Sequence, residues 1–365
     1  MKVECLKEKL ETAIIRAERV TNKNVTLPVL KNILLTAKDR YLVVKATNLD
    51  LGIEIKVPVK VDVEGVVAVP ADVLKGFINN LSNDSKITLE LKDNKLLITT
   101  NRSETFIHTY PNEEFPSIPT LKESKDLVVP VERFLSGLKS VWYSASVQSM
   151  KPELASIYIY YEDSSIVFAA TDSFRLAEKK ISIKKLDEFN SVLIPFKNVS
   201  DIIKIIEGVD GDISITITDN QIAIFCDDLY ITSRVIDGVF PDYRQIIPKD
   251  YETEVVVLKQ DIVDVLKRSY VFSDKFNRVT FEITPKDKKF IVETNNQDIG
   301  ESKNEVQAAI NGDKIKLSFN YKNIVDAFQS ITTDSIVFKF GEKKPLMIQG
   351  IGDTSFIYIT MPMNR

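Results

Sequence analysis

Apolar and polar positions along this chain recur with a long period. Three stretches read as a short apolar strand running into an amphipathic helix. They are Val67-Ala68-Val69-Pro70-Ala71-Asp72-Val73-Leu74, Leu193-Ile194-Pro195-Phe196-Lys197-Asn198-Val199 and Ser318-Phe319-Asn320-Tyr321-Lys322-Asn323-Ile324. Pro70, Pro195 and Asn320 stand 125 residues apart. Proline suits the first turn of a helix and asparagine a cap, so each marks a helix start. Behind each helix comes period-two alternation around a polar turn, the signature of a hairpin. The hairpins are Ile87–Leu91 with Leu96–Ile98 about Asp93-Asn94, Ile213–Ile217 with Ile222–Ile224 about Asp219-Asn220, and Ile336–Phe340 with Leu346–Ile348 near Gly341. Helical spacing also marks Leu6–Ile15, Val131–Leu138 and Ile262–Leu266, so each unit is expected to open with a helix. Ala46-Thr47-Asn48 matches Ala170-Thr171-Asp172 and, more loosely, Glu293-Thr294-Asn295.

The pattern predicts an α+β fold of three tandem copies of a helix, strands, helix, strands unit, with helices on one sheet face. Short linkers at Phe115-Pro116-Ser117-Ile118-Pro119 and Phe240-Pro241-Asp242-Tyr243 place the units at 1–122, 123–249 and 250–365.

Composition narrows the chemistry. A net charge of −4 gives no overall basic character, though one surface can still be basic. Two distant cysteines, Cys5 and Cys226, build neither a metal site nor a disulfide framework. With no apolar leader or membrane-length run, the expectation is a soluble cytoplasmic protein. The single histidine, His108, lies in the alternating strand Thr105–Tyr110, which argues for a strand surface rather than a nucleophile–base pair. Neither GxGxxG nor GxxxxGK[ST] occurs, and metal motifs are missing, so no cofactor and no metal are expected. Glu113-Glu114 and Asp227-Asp228 read as solvated surface, and Gly208–Asp212 as a turn. Asp172 and Arg175 within Ala170-Thr171-Asp172-Ser173-Phe174-Arg175-Leu176-Ala177 lack a paired base, which favours a structural or binding role over catalysis. No catalytic residue is expected. An enzyme using this segment and a scaffold that binds only proteins are the rival readings.

Four segments together resemble the bacterial DNA sliding clamps, the beta subunits of the replicative polymerase. They are Thr26–Leu35, Ala170–Ala177, Asp237-Gly238-Val239-Phe240-Pro241-Asp242-Tyr243-Arg244 and the terminal Met361-Pro362-Met363. The resemblance implies a head-to-tail homodimeric ring with helices lining the hole and sheets outside. Such a ring slides on duplex DNA without sequence specificity and tethers the polymerase. Helix packing agrees: six inner helices about 9 Å apart close at roughly 17 Å between axes, and twelve at roughly 34 Å. With helices about 10 Å wide, only the larger ring admits a duplex.

The resemblance further implies a pocket for clamp-binding peptides of the replicative polymerase subunit, the clamp loader and repair proteins. Its matching positions are Leu154, Thr171, Ser173, Phe174, Arg175, Leu176, Pro241, Ile246, Asn320, Ile359, Met361, Pro362 and Met363. Methionines suit a pocket that must fit varied peptides. Ser173, Phe174, Gln245, Asn323 and Asn364 depart from the family's usual residues. Lys23, Gln148 and Lys151 match DNA-touching positions. Helix bases such as Lys9, Arg16, Arg19, Lys75, Arg133, Lys139, Lys197, Lys204, Lys267, Arg268 and Lys322 are candidates for the inner wall, where weak phosphate contacts permit sliding. Thr105 and Ile107 on one edge strand, with Val271 and Phe272 across from them, are the implied dimer contacts.

Overall fold

The computed structural model describes residues 1–21, 27–81, 85–122, 127–186 and 189–363. In the first repeat these form β1 (Lys2–Leu6), α1 (Lys7–Val20), β2 (Asn32–Lys38), β3 (Tyr41–Thr47), β4 (Leu51–Pro58), β5 (Lys60–Val63), β6 (Gly65–Pro70), α2 (Ala71–Asn79), β7 (Lys86–Lys92), β8 (Lys95–Thr99) and β9 (Glu104–His108). The second holds β10 (Leu127–Pro130), α3 (Val131–Val141), β11 (Ser156–Glu162), β12 (Ser165–Thr171), β13 (Arg175–Ser182), β14 (Val192–Pro195), α4 (Phe196–Ile206), β15 (Asp212–Ile217), β16 (Gln221–Cys226) and β17 (Leu229–Arg234). The third holds β18 (Thr253–Leu258), α5 (Lys259–Tyr270), β19 (Arg278–Thr284), β20 (Lys289–Asn296), β21 (Gly300–Val306), β22 (Ala308–Gly312), β23 (Ile315–Asn320), α6 (Tyr321–Ala327), β24 (Ser335–Phe340), β25 (Leu346–Gly350) and β26 (Phe356–Thr360).

All three predicted hairpins form, and the first turns on Asp93 and Asn94 with φ of 46° and 59°. Three expectations need correction. Each repeat opens with a strand, β1, β10 or β18, not a helix. In the first repeat only Val3 and Cys5 alternate inward before α1 begins, too short a run to read as a strand. Pro70 and Pro195 end strands, one residue before their helices, whereas Asn320 caps as expected, its side chain accepting the Lys322 amide at 2.9 Å. The third landmark slips by one residue. Asn32 faces Pro70, Ser156 faces Pro195 and Arg278 faces Asn320. Counting along the ladders from these pairs brings Thr47 and Thr171 level with Asn295, not with Thr294. The Thr294 hydroxyl instead donates to Ser269 O at the end of α5, 2.8 Å away.

The chain folds as two compact units, residues 1–132 with 197–237, and residues 133–196 with 238–365, so the middle repeat is shared between them. The first unit holds an eight-stranded sheet, β10-β15-β16-β17-β4-β3-β2-β6, and a five-stranded sheet, β5-β1-β7-β8-β9. Helix α1 buries Leu10, Ala13, Ile14, Ala17 and Val20. The larger of these stabilise the unit by about 1.5–3 kcal/mol each.

The second unit holds a nine-stranded sheet, β14-β11-β12-β13-β26-β25-β24-β18-β22, and a four-stranded sheet, β21-β20-β19-β23. Phe281, Phe290, Phe319, Phe338 and Phe340 are fully buried at its core. Helix α3 presses closely on β12. Phe134 meets the Phe168 ring edge-on at 5.6 Å, and a Cβ on Gly137 would lie 2.4 Å from the same ring, so only glycine fits there. Within each unit one sheet is continuous across two sequence repeats. The joints are the antiparallel pairs β17·β4 and β13·β26.

Candidate functional site

The strongest candidate lies at the β13·β26 joint, built on a five-residue turn. Thr171 Oγ1 donates to Arg175 O at 2.7 Å and accepts the Ser173 amide at 3.1 Å. Asp172 Oδ1 accepts the Phe174 and Arg175 amides, both at 2.9 Å. Aspartate two or three residues before such amides makes this turn locally. The turn sets Ser173 at a φ of 75° and leaves Phe174 68% exposed. The Met361 amide then donates to Phe174 O at 2.8 Å, so the chain's last strand fixes the turn from the other side.

Arg175 anchors the turn from beneath. Its guanidinium donates to Asp172 Oδ2 at 2.9 Å, to Asp326 Oδ2 on α6 at 2.5 Å, and to Tyr143 O at 2.6 Å. Burial pushes its pKa down, but Tyr358, Asp326 and Asp172 together outweigh that and hold it above the ordinary arginine value. Asp172 and Arg175 are consumed by one another and by the fold, so the pair offers no general base. The neighbouring linker is tied to the same strand. Tyr243 donates to buried Glu178 of β13 in a short hydrogen bond, and its hydroxyl lies 2.7 Å from that of Tyr160. Arg244 pairs with Glu162. These bonds carry exposed Pro241 and Ile246 on the segment held against β13.

The predicted pocket residues thus separate by role. Phe174, Ile246 and Met361 present exposed apolar surface, and Ser173 and Pro241 are exposed beside them. Leu154, Pro362 and Met363 are half-buried, and the Met363 amide donates to Ser318 O at 2.8 Å. Leu176 and Ile359 face each other across the joint at 0% and 1% exposure, and Thr171 is buried at 5%. These three are floor rather than contact surface. Asn320 is engaged in capping α6. Among the departures, Gln245 donates to Asp242 at 2.7 Å and Asn323 to Thr360 Oγ1 at 3.4 Å. Asn364 lies outside the described residues.

Sequence reasoning missed Asp326 and Tyr143, which hold Arg175. It also missed Val147, Met150 and Val239, exposed apolar residues of the same unit at 64%, 97% and 88%. Asp326 stands 125 residues after Asp201, the spacing already noted for the helix starts, and could have been found that way.

The candidate nucleic-acid residues are more scattered. Lys23 lies outside the described residues. Lys197, Lys151 and Gln148 are exposed, as are Lys9, Arg19, Arg133, Lys204, Lys267, Arg268 and Lys322. Lys75 pairs with Glu18 at 2.8 Å, and Arg133 donates to Ser182 O at 3.2 Å. Arg16 is half-buried, and burial lowers its pKa. Of the dimer candidates, Thr105 is half-buried and Ile107 buried on β9, an open edge of the five-stranded sheet. Val271 is 63% exposed and Phe272 half-buried just after α5. His108 is exposed on the same edge strand, and no group of three potential metal ligands occurs among the described residues. No helix is long and apolar enough to cross a membrane among the described residues.

Repeats joined by continuous sheets, each carrying two helices, define the DNA clamp fold. A crystal structure of the sliding clamp from Pseudomonas aeruginosa bound to griselimycin superposes with a TM-score of 0.93 at 22% identity, covering 100% of both chains. The descriptions of the DNA polymerase III beta subunit match in order: its N-terminal domain over residues 1–119, its central domain over 128–242 and its C-terminal domain over 244–364. The chain therefore belongs to the DNA polymerase III beta subunit family, the sliding clamps that give replication its processivity. Similar curated proteins include the beta sliding clamps of Synechocystis, 28% identical over 389 residues, and Synechococcus elongatus, 26% identical over 372. Both alignments cover 100% of this chain and 99% of the relative. Clamps of this family are processivity factors rather than catalysts.

Proposed function

We propose that the chain closes head to tail with a second copy into a ring around duplex DNA, and that it acts by enclosure without catalysis. Repeats bounded at 1–122, 123–249 and 250–365 would form each half. Partners would dock short apolar peptides on the joint surface formed by Phe174, Ile246, Met361 and their neighbours. The observation that carries this reading is the exposed apolar Phe174–Met361 pair on a turn locked by Thr171, Asp172 and Arg175. A fixed backbone with apolar side chains gives an anchor for a peptide at little ordering cost. The replicative polymerase subunit, clamp loader and repair proteins are the expected peptide donors. The Pseudomonas aeruginosa clamp was crystallised bound to griselimycin, which agrees with a ligand site on the fold. Lys23, Lys75, Gln148, Lys151 and Lys197 are the proposed DNA contacts, with Lys75 shared with Glu18. Loading onto closed circular DNA tests the reading. The protein is expected to stay on circles and to leave once they are cut, while retention on cut DNA overturns enclosure.

A further inference from the structure

The first unit carries a cavity of about 580 Å³ on one face of its eight-stranded sheet. The strand ladders show how the sequence builds it. Val128, Ser214, Phe225, Tyr230 and Glu54 stand level on β10, β15, β16, β17 and β4, so their side chains share one face. Alternation turns Ile213, Ile224 and Ile231 into the core behind them. The Phe225 and Tyr230 rings lie 5.1 Å apart and form an aromatic floor, with Val128, 50% exposed, as the wall beside them.

The same face already carries an extended segment of the chain. Ile118 sits on Gly52, where a Cβ would lie 2.7 Å from its Cγ2. The Tyr230 hydroxyl donates to Pro119 O at 2.7 Å and accepts the Leu121 amide at 3.1 Å. Thr120 of this segment lines the cavity, which runs on to the turn between β16 and β17. Charge decides what fits there. Exposed Asp212, Asp227 and Asp228 form the rim, against one lysine, Lys56, among the described lining residues. Glu54 is already held by Lys45 at 2.7 Å. A cleft of one charge over low-dielectric walls concentrates ions of the other, and aromatic faces add to the attraction for a cation.

We infer that this cavity docks a short basic, partly apolar peptide of a partner protein. An aliphatic side chain would rest on Val128, Phe225 and Tyr230, and an arginine or lysine would reach Asp227 and Asp228. The seated linker supports an extended occupant, and the carboxylates repel acidic ones. The site shares no residue with the Phe174–Met361 surface.

Fluorescence anisotropy on the full chain tests this at about 0.15 M salt, with a labelled hexapeptide alternating leucine and arginine. Saturable binding is expected. Asp227→Asn with Asp228→Asn should weaken it about tenfold, the size that two solvent-screened ion pairs allow. Asparagine keeps the left-handed conformation of Asp227, at a φ of 41°, and both side chains are exposed, so the variant keeps its fold. Glu113→Gln with Glu114→Gln removes the same charge from another exposed stretch of the unit and should leave binding unchanged. Equal weakening by both double variants would mean attraction by net charge alone and overturn the site. Equally tight binding of a hexapeptide alternating serine and arginine would overturn it too, because the apolar floor would then play no part. Loss in Phe174→Asp instead would place the probe at the β13·β26 joint and overturn the assignment, and absence of saturable binding overturns it outright.

Discussion

The two internal joints share one backbone and differ in what they show to solvent. At the first, Thr47 Oγ1 donates to Leu51 O at 3.0 Å, and Asn48 Oδ1 accepts the Asp50 and Leu51 amides at 3.0 and 2.8 Å. Leu49 has a φ of 77°, against 75° at Ser173. Every hydrogen bond that the Thr171 hydroxyl and Asp172 Oδ1 make in the Thr171–Arg175 turn thus has a counterpart. The side chains diverge. Asp50 and Arg234 stand where the second joint has Phe174 and Met361. Leu51, 1% exposed, stands where the second has Arg175 with its two carboxylates. The turn is therefore shared by the first two repeats, and the exposed apolar pair belongs to the second joint. At the first joint exposed Leu49 stands beside Asp50 and Arg234, so the paired apolar anchor of Phe174 with Met361 is missing there.

Making the second joint resemble the first should have its largest effect at Arg175. Arg175→Leu leaves Asp172 and Asp326 facing one another unpaired and costs about 3 kcal/mol. A thermal melt should show this, with peptide binding lost in the same variant. Adding Asp326→Asn should recover much of the stability, and no recovery would mean that the ion pair is not what anchors the turn. Phe174→Asp, copying Asp50, should weaken peptide binding by about 2 kcal/mol, roughly thirtyfold, in titration calorimetry. Its melting midpoint should stay close to the parent's, because the side chain is exposed. The reciprocal Asp50→Phe should create no peptide site, since Arg234 still faces it. Measurable binding there would show that one aromatic suffices.

The sequence made the repeat legible because alternation and helical spacing act locally. The hairpins about Asp93-Asn94 and Asp219-Asn220 followed from turn chemistry alone, and Pro70, Pro195 and Asn320 located three helix starts to within a residue. Opening strands such as β1 escaped because only two inward residues mark them. The slip from Thr294 to Asn295 escaped because a threonine hydroxyl satisfies either a turn carbonyl or a helix end, and spacing does not distinguish them. The site residues were reached through resemblance, and the structure then separated contact surface from floor. Leu176 and Ile359 read like Phe174 and Met361 as apolar letters, yet the first two lie within the β13·β26 pairing and are buried, while Phe174 and Met361 lie just beyond its end and are exposed. The grip of Asp326 and Tyr143 on Arg175 spans 151 and 32 residues, beyond any local pattern.

The helices behind the joints extend the comparison to DNA. Lys197 on α4 and Lys322 on α6 occupy level positions and are both exposed. If both face phosphates, Lys197→Ala and Lys322→Ala should each lower the slope of log affinity against log salt by about 0.9 for every contact removed. Equal effects would show that the two copies share the inner wall. An unchanged slope for one would confine the DNA track to the other.

Asp201 and Asp326 are level on the same two helices, and one difference between the joints sets their behaviour. Asp326 holds Arg175. Asp201 has Leu51 in that place, with burial pushing its pKa up and Lys204 and Arg19 only partly offsetting it. A carboxyl whose folded pKa lies above its unfolded value takes up a proton more readily when folded. Its ionisation costs stability, and that cost grows as pH rises from the unfolded to the folded value, then persists at neutral pH. Asp201→Asn should therefore raise the melting midpoint slightly at pH 7, with the gain fading as pH falls through the carboxylate range. Asp326→Asn should lower the midpoint at pH 7, because it strips Arg175 of a partner. Opposite signs at equivalent positions would tie the difference to the arginine. A loss at Asp201 as well would mean that Lys204 and Arg19 outweigh burial, and that both copies use this carboxylate as an ionic anchor.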